Sequence, residues 1–304
     1  CTIKDIENEL ILISDINRYN PMADILTKNE WDGQDRFPIL FEVLGISDNL
    51  SKTLIRKWFW QTTMIVFNTL ENPFGIDGVL TLQGPQGIGK TRFIRNIAMN
   101  SKWFKEGAII DLNIKDSIIE ATKGFIVELG ELDNTLRKKQ SALKAFLSNT
   151  MDKVRIPYGH KSIKKPRRTS FCATVNPQEF LIDDTGNRRF WVIPVTSIDN
   201  DKLESLGKEW CKQLWIQAYN EVKDNPQSFR LTSAERLELN KKNNNFMDFS
   251  KGEEEITLKM DFSGKVPLEK WNTTEINERI FDSKSSSTII GRAINKIANK
   301  YPEF

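Results

Sequence analysis

The sequence has few of the residues that build disulfide frameworks and metal centres. Its 3 cysteines are widely spaced, and its 1 histidine is His160. Structural zinc sites and disulfide-stabilised folds need several such residues at short, regular spacings. We therefore expect neither.

Long apolar runs are also missing. The most apolar stretch, residues 58–70, is interrupted by Gln61, Thr62, Thr63 and Asn68, whereas a membrane-spanning helix needs roughly 20 apolar residues. The first residues are too charged for a signal peptide. We expect a soluble, cytoplasmic protein with no membrane segment. Because the chain opens on Cys1 within an amphipathic pattern, we also expect a fragment of a longer protein.

A strong excess of one charge is absent, since the formal net charge is only +3. The distribution of charge is more informative, because residues 153–168 hold seven Lys or Arg and no Asp or Glu. A hydrophobic fraction of 39% with 8 Trp and 18 Phe supports packed cores. The 304 residues are enough for two or three domains of about 100–200 residues.

One run, Gly-Pro-Gln-Gly-Ile-Gly-Lys-Thr, matches G-x-x-x-x-G-K-[ST] in full. The apolar residues 78–82 precede it, and residues 92–98 have helical spacing. In this context backbone N–H groups form a phosphate cradle, the lysine reaches the β- and γ-phosphates, and the threonine holds Mg²⁺. The alternative is a chance glycine-rich turn. The sequence predicts an ATP and Mg²⁺ site formed by Gly84, Pro85, Gln86, Gly87, Ile88, Gly89, Lys90, Thr91 and Arg92.

Short apolar runs alternate with helical segments from residue 78 to about residue 195, which is typical of an α/β fold. Apolar stripes within residues 3–13, 39–44 and 54–66 predict helices before this region, and residues 136–149 and 203–222 also have helical spacing. After the strand at 78–82, further strands are predicted at residues 108–112, 125–129, 170–175 and 190–195.

Two carboxylates, Glu128 and Glu131, lie at the carboxyl end of the third predicted strand. Ligands bind at this edge in open α/β sheets. We expect Glu128 on the metal side of the site and Glu131 as the group that activates water. The alternative is a strand end followed by a carboxylate that caps a helix.

Asn176 follows the fourth predicted strand, where its amide is suited to bond the γ-phosphate and the attacking water; an Asn-Pro turn is the alternative. Arg188 and Arg189 lie in a turn further on. Arginine near a γ-phosphate neutralises transition-state charge, often across a subunit boundary, although an ion pair with Asp183 or Asp184 is the alternative. The predicted catalytic residues are Lys90, Glu128, Glu131, Asn176, Arg188 and Arg189, with Thr91 and Glu128 as metal ligands.

Five runs in order resemble the virulence-associated E (VirE-like) family. They are Trp31-Asp32-Gly33, residues 84–91, Phe-Ile-Val-Glu-Leu-Gly-Glu-Leu at 125–132, Pro157-Tyr158-Gly159, and Gly-Asn-Arg-Arg-Phe at 186–190. That family is similar to the superfamily III helicases, the AAA+ motors of viral, phage and mobile-element replication. Glu-Leu-Gly-Glu departs from the adjacent acidic pair of most AAA+ proteins, which leaves the roles of Glu128 and Glu131 open.

The resemblance implies a domain organisation and an assembly. Residues 73–224 would form a P-loop AAA+ ATPase core with a DNA-binding hairpin, and residues 1–72 a helical collar for oligomerisation. The expected assembly is a homo-oligomer, a hexamer, with a primase domain or another replication protein as a further partner. Residues 225–304 would form a linker and a small helical, winged-helix-like domain.

The basic stretch at residues 153–168 has the alternation of a β-hairpin, with Gly159 permitting a tight turn. The resemblance implies a hairpin that projects into the central channel of a ring. Its cations would bind the phosphates of single-stranded DNA without regard to sequence, with Tyr158 stacking on a base. The predicted DNA contacts are Tyr158, His160, Lys161 and Lys164. The alternative is a solvated basic loop whose Arg167 and Arg168 serve the nucleotide site.

The end of the chain holds two predicted helices, near residues 274–281 and 287–300. They resemble a winged-helix module in which Ser287, Thr288, Arg292 and Lys296 would face DNA. A helical cap packing its isoleucines on the motor is equally compatible.

These features predict an ATP-dependent hexameric DNA helicase, a replication motor of a phage or mobile element acting in the bacterial host cytoplasm. The alternative is a non-translocating ATP switch that assembles with a protein partner. A nucleotide kinase is disfavoured because an acceptor lid is not evident and the basic hairpin would be unexplained.

Overall fold

A computed structural model describes residues 19–110, 114–155, 162–177, 180–181, 187–247, 272–281 and 287–300, together with residues 6, 9, 10, 256 and 259. Among these residues, no helix combines the length and apolarity that a membrane crossing requires. In chain order the elements are α1 (Pro21–Lys28), α2 (Phe37–Val43), α3 (Asn49–Ile65), β1 (Val79–Gln83), α4 (Lys90–Ile97), β2 (Phe104–Ala108), α5 (Lys115–Glu120), β3 (Ile126–Leu129), α6 (Leu132–Ser148), β4 (Met151–Arg155), β5 (Ser162–Pro166), β6 (Ser170–Val175), β7 (Phe190–Pro194), α7 (Asn200–Val222), α8 (Ser233–Asn243), α9 (Thr273–Phe281) and α10 (Ser287–Lys300).

The fold is α/β, built on a five-stranded sheet in the order β2-β3-β6-β1-β7. All of its pairings are parallel. Strand β6 therefore lies between β1 and β3. Because parallel strands share their direction, the ends of β1, β3 and β6 meet at one carboxyl edge, and the beginnings of all five strands meet at the opposite, amino edge.

Both faces of the sheet are covered, which explains the continuous apolar runs of its central strands. On one face, helices α1–α4 and α7 share a hydrophobic core with the sheet. Trp58 of α3 anchors this layer, since its Nε1 donates a 2.9 Å hydrogen bond to the carbonyl of Phe171 in β6. On the other face, α6 packs with Phe180 and Phe246 in a second core.

Four of the five predicted strands are confirmed to within a residue or two, but the strand predicted at residues 108–112 is misplaced: only residue 108 is in a strand, residues 109 and 110 are not, and residues 111 and 112 lie outside the described residues. The strand is β2, at Phe104–Ala108. It lies at the edge of the sheet, where only its first and last residues are buried. Its sequence is therefore polar, whereas the apolar Ile109 that follows is 61% exposed.

The helix predictions agree closely with the structure. The stripes at residues 39–44 and 54–66 fall on α2 and α3, and residues 136–149 and 203–222 fall on α6 and α7. The stripe within residues 3–13 lies almost entirely outside the described residues. Helix α8 begins with a capping box in which Thr232 and Glu235 each bond the other's backbone N–H.

The two strands of the predicted hairpin are present as β4 and β5, paired antiparallel with Lys153 opposite Lys164, and the predicted turn at Gly159 lies outside the described residues. Helices α9 and α10 occupy the positions predicted for them. Their buried side chains form a small cluster of their own: Ile256, Ile276, Ile280, Phe281, Ile290, Ala293 and Ile297.

Candidate functional site

The loop of residues 84–91, here called the glycine loop, joins the carboxyl end of β1 to α4. Two of its positions require glycine for different structural reasons. A Cβ at Gly84 would lie 2.0 Å from the Val195 carbonyl oxygen, so the backbones approach too closely for a side chain. Gly87, with φ +86°, faces open space. The loop therefore needs glycine at position 84 for the close backbone approach and at position 87 for the left-handed conformation.

Lys90, the first residue of α4, directs its side chain back into this loop. Its side chain is 6% exposed, and its Nζ donates to the carbonyls of Gly84 and Pro85, both at 2.7 Å, and to Asn176 Oδ1 at 2.9 Å. Burial lowers the pKa of the ammonium, and the negative charge of Glu128 opposes that shift. The structure thus brings Lys90 and Asn176 together.

Glu128 connects three elements at the carboxyl edge. Its Oε1 accepts hydrogen bonds from the hydroxyls of Thr91 and Thr174, both at 2.7 Å, and its Oε2 accepts one from the backbone N–H of Gly107 at 3.3 Å. The carboxylate is only 3% exposed. A buried carboxylate next to a threonine hydroxyl provides the hard oxygen ligands that Mg²⁺ prefers, so these residues fit the predicted metal.

The charge of Glu128 also affects the sulfur beneath it. Cys172, opposite Glu128 in the β3–β6 pairing, is fully buried. Burial raises the pKa of its thiol, and the charge of Glu128 raises it further. The thiol is therefore neutral at physiological pH and part of the core.

Glu131 lies beyond the end of β3, as the residue before α6, with a left-handed backbone (φ 48°). Its side chain is exposed. The structure therefore places Glu128 in contact with Thr91, while Glu131 is exposed beyond the end of the strand.

Arg188 and Arg189 lie in a short 3-10 turn that leads into β7, at the amino edge of the sheet. The glycine loop follows β1 at the carboxyl edge, and β1 and β7 are paired in register from Val79–Phe190 to Gln83–Pro194. Five residues of strand span roughly 17 Å. The structure does not bring these arginines to the glycine loop of the same chain. Asp183 and Asp184, their alternative partners, lie outside the described residues.

The two arginines line a cavity of 160 Å³, here called the arginine pocket, with Asp77, Val79, Ser148 and Arg236 among its other walls. Arg189 donates to Ser148 Oγ through Nε at 3.1 Å and through Nη2 at 3.0 Å. Ser148 ends α6, just before the hairpin strand β4. The pocket therefore lies at the base of the hairpin.

Arg92, predicted as a nucleotide contact, is directed to α7. Its Nε donates to Glu204 at 2.7 Å and its Nη2 to Asp201 at 2.9 Å. The hydrogen bonds from Arg92 and Asn96 lower the pKa of Glu204 to about 2. Arg92 thus links α4 to α7.

Of the four predicted DNA contacts, Tyr158, His160 and Lys161 lie outside the described residues. Lys164 is exposed on β5.

Arg167 cannot serve the nucleotide site, as the alternative interpretation of the basic stretch required, because it is 3% exposed and forms a buried ion pair with Asp152. Arg168 is partly buried and donates through Nε to the carbonyl of Asn68 at 3.0 Å. The structure does not describe the side chains of the four residues predicted to face DNA in the last helix, Ser287, Thr288, Arg292 and Lys296.

Two residues of this site were not predicted. Thr174 lies near the end of β6, and Asn176 follows the strand two residues later, a spacing that places both side chains on one face of an extended chain. That spacing was a usable signal. The second residue is Asn200, whose Nδ2 donates to the Gly89 carbonyl at 3.1 Å. No sequence signal could have identified it, because it begins a helix more than 100 residues after the loop.

The fold and site define an α/β protein with a polar site at the carboxyl edge of a parallel sheet. The chain belongs to the virulence-associated protein E-like domain family, whose family model matches residues 26–248. The resemblance noted from the sequence is thereby confirmed. No curated protein matches the chain.

Solved structures with a similar arrangement are distant. The apo C-terminal region of NrS-1 is 14% identical over 74% of this chain, with a TM-score of 0.48. A second NrS-1 structure, of residues 305–718, is 12% identical over 78%, also at 0.48. The chain covers 54% and 57% of these two chains, little more than half of their length. An inhibitor-bound JCV helicase is 13% identical over 85% of this chain and 74% of that one, with a TM-score of 0.35.

Proposed function

We propose that this protein is an ATP-dependent DNA helicase that works as a hexamer on single-stranded DNA. The observation that carries the proposal is the hydrogen-bonded set at the carboxyl edge. There Lys90 contacts Asn176 and Thr91 contacts Glu128, beside a glycine loop with the sequence of a phosphate cradle.

Each residue of this set has a role in the proposal. The glycine loop and Lys90 hold the phosphates, and Thr91 with Glu128 holds Mg²⁺, which supplies charge stabilisation for phosphoryl transfer. Asn176 orients the γ-phosphate and the attacking water. Glu131 polarises that water, or Glu128 does so if the metal is held by Thr91 alone. The contact of Glu128 with Thr91 supports the first assignment.

Arg188 and Arg189 complete the site of a neighbouring protomer. Their position at the amino edge supports this role, because the glycine loop of their own chain is on the opposite edge. In a head-to-tail ring two different surfaces of the protomer meet, so a residue remote from its own glycine loop can contact the glycine loop of a neighbour. Hydrolysis at such a seam couples neighbouring subunits.

The DNA contact is proposed for the hairpin. In a ring, copies of Tyr158, His160, Lys161 and Lys164 would surround a central strand and bind its phosphates. The exposed Lys164 and the antiparallel pairing of β4 with β5 support this arrangement.

The remaining assignments stay predictions of the same proposal. The protein would act in the cytoplasm of a bacterial host as part of a phage or mobile-element replication system, with a primase domain or replication partner. The division into residues 1–72, 73–224 and 225–304 is proposed as a division of roles. Helices α1–α3 share a hydrophobic core with the sheet, so the first segment is not packed as a separate unit.

ATPase rates with and without single-stranded DNA test the proposal. We expect DNA to stimulate the parent protein, Lys90→Ala to abolish turnover, and Lys161→Ala to remove the stimulation while keeping the basal rate. Lys223→Ala, which changes an exposed lysine at the end of α7, is the matched control and should behave as the parent. If DNA and the hairpin change have no effect while ATP still drives assembly, the ATP switch is the correct function.

A further inference from the structure

The arginine pocket contains a third guanidinium, that of Arg236, which the proposed function does not use. Arg236 comes from α8, a different element from the turn that carries Arg188 and Arg189. Its neighbour Glu235 fixes the beginning of α8, because it closes the capping box and forms a 2.7 Å ion pair with the buried Lys57 of α3. The backbone that presents Arg236 is therefore anchored to the core.

Asp77 holds Arg236 near the pocket without using its donors. One Asp77 oxygen, Oδ2, accepts the backbone N–H of Leu231 at 3.0 Å. The other, Oδ1, is 3.7 Å from nitrogens of both Arg230 and Arg236. That distance is too long for a hydrogen bond. Asp77 therefore attracts the Arg236 guanidinium through its charge, and this interaction uses none of the guanidinium N–H groups that a ligand would need.

The pocket carries excess positive charge. Among its described lining residues are three guanidiniums, of Arg188, Arg189 and Arg236, and one carboxylate, that of Asp77. The pKa of Arg189 is lowered by burial and then by the positive charge of Arg188, with Asp77 opposing the shift. An anion in the cavity would relieve this repulsion, and arginine forks match phosphate oxygens in geometry.

We propose that the arginine pocket binds the terminal phosphate of a nucleotide held by the glycine loop of an adjacent copy of this chain, and that Arg236 is a third residue contacting it. The inference rests on the proposed function and adds a residue to it. A second copy is the required source, because the chain's own glycine loop lies at the other edge of the sheet.

Exposed apolar side chains support a second copy as the occupant. Leu237, next to Arg236, is 59% exposed. At the carboxyl edge, Ile109 and Ile114 are 61% and 53% exposed. An adjacent copy seated as proposed would cover these apolar side chains.

Substitution of Arg236 provides the first test. We expect Arg236→Gln to lower kcat for ATP by roughly 10- to 100-fold, the value of one charge-assisted hydrogen bond. KM should change little, since the glycine loop is intact. Arg236→Lys should recover part of the rate, because the charge remains but the fork is lost. Arg230→Gln is the matched control: it has the same 3.7 Å ion pair with Asp77 but does not line the cavity, so its kcat should stay within about threefold.

Mixing two inactive variants provides the decisive test. Subunits with Lys90→Ala keep their arginines, and subunits with Arg236→Gln keep their glycine loop, so a mixed ring contains some complete sites. We expect activity to reappear on mixing. Lys90→Ala mixed with Asn176→Ala is the negative control, because both changes affect the same half of the site. Lys90→Ala mixed with Arg188→Ala tests the proposed function itself.

The outcomes separate the two ideas. If the Arg188 mixture recovers but the Arg236 mixture does not, Arg236 has no role across the seam and the proposed function stands. If neither mixture recovers, the shared seam is wrong. Assembly gives a readout that needs no turnover: a non-hydrolysable triphosphate should drive oligomerisation of the parent and of Arg230→Gln at a concentration roughly tenfold lower than for Arg236→Gln. An Arg236→Gln protein with normal ATPase and assembly but weaker single-stranded DNA binding would show that the pocket holds nucleic-acid phosphate instead.

Discussion

The buried ion pair of Arg167 and Asp152 provides a stability prediction of defined size. The two side chains are 3% and 7% exposed. The Arg167 guanidinium contacts both Asp152 oxygens and the Phe146 carbonyl, and it lies 4.2 Å from the centre of the Phe146 ring. Asp152→Asn would leave this guanidinium buried without a counter-charge. Such a loss costs about 3–5 kcal/mol, and we expect about 3 kcal/mol because the amide oxygen keeps one hydrogen bond.

The measurement is urea unfolding followed by tryptophan fluorescence, with the free energy of unfolding compared between variants. Glu106→Gln is the matched control, since its pair with Arg95 is about half exposed and should be worth less than about 1 kcal/mol. The double variant Asp152→Leu/Arg167→Met, which replaces the pair by apolar groups, should regain most of the stability. A loss below about 1 kcal/mol for Asp152→Asn, or a double variant as unstable as the single one, would refute the reasoning.

Three further predictions follow from the site and its supports. Glu128→Gln should lower the ATPase rate by roughly 100-fold or more while a fluorescent nucleotide still binds; an unchanged rate would exclude Glu128 from the chemistry. Hydrogen bonds from Arg36 lower the pKa of Asp32 to about 2, so the stability it adds is present above about pH 4 and is lost as pH falls through 2; Asp32→Asn should remove that acid-side dependence in unfolding measured against pH. At Gly89, φ is +87° and an added Cβ would lie 2.3 Å from the Asn200 side chain, so Gly89→Ala should destabilise the fold by about 1–3 kcal/mol and weaken nucleotide binding in a titration, whereas an unchanged melting temperature would contradict the strain.

The sequence predicts the local parts of this molecule well because their causes are local. Strands β1, β3, β6 and β7 are covered on both faces, so each needs an apolar run, and the glycine loop has its pattern between a strand and a helix. Strand β2 was misplaced because its three middle residues are exposed and it therefore needs no such run. Its residues Lys105 and Glu106 are exposed.

Relations between distant segments were not predictable in the same way. Composition groups Arg167 with the cations of the hairpin, but the fold buries it against Asp152. Periodicity does not give the order of strands, so the contact of Thr174 with Glu128 is visible only once β6 is seen to lie next to β3. Likewise, only the sheet shows that Arg188 and Arg189 lie at the edge opposite to the glycine loop.

The position of β6 has a mechanical consequence. One end of this strand carries Thr174, with Asn176 just beyond it, and three residues separate its other end from the hairpin strand β5. A six-residue strand bonded on both sides cannot stretch, and the intervening residues are held by the buried Arg167 side chain. The separation between the phosphate end and the hairpin root is therefore fixed at roughly 20 Å. If the proposed function is correct, stretching of β6 cannot move the hairpin root relative to the glycine loop, and we expect this movement to come from rotation of whole subunits against one another.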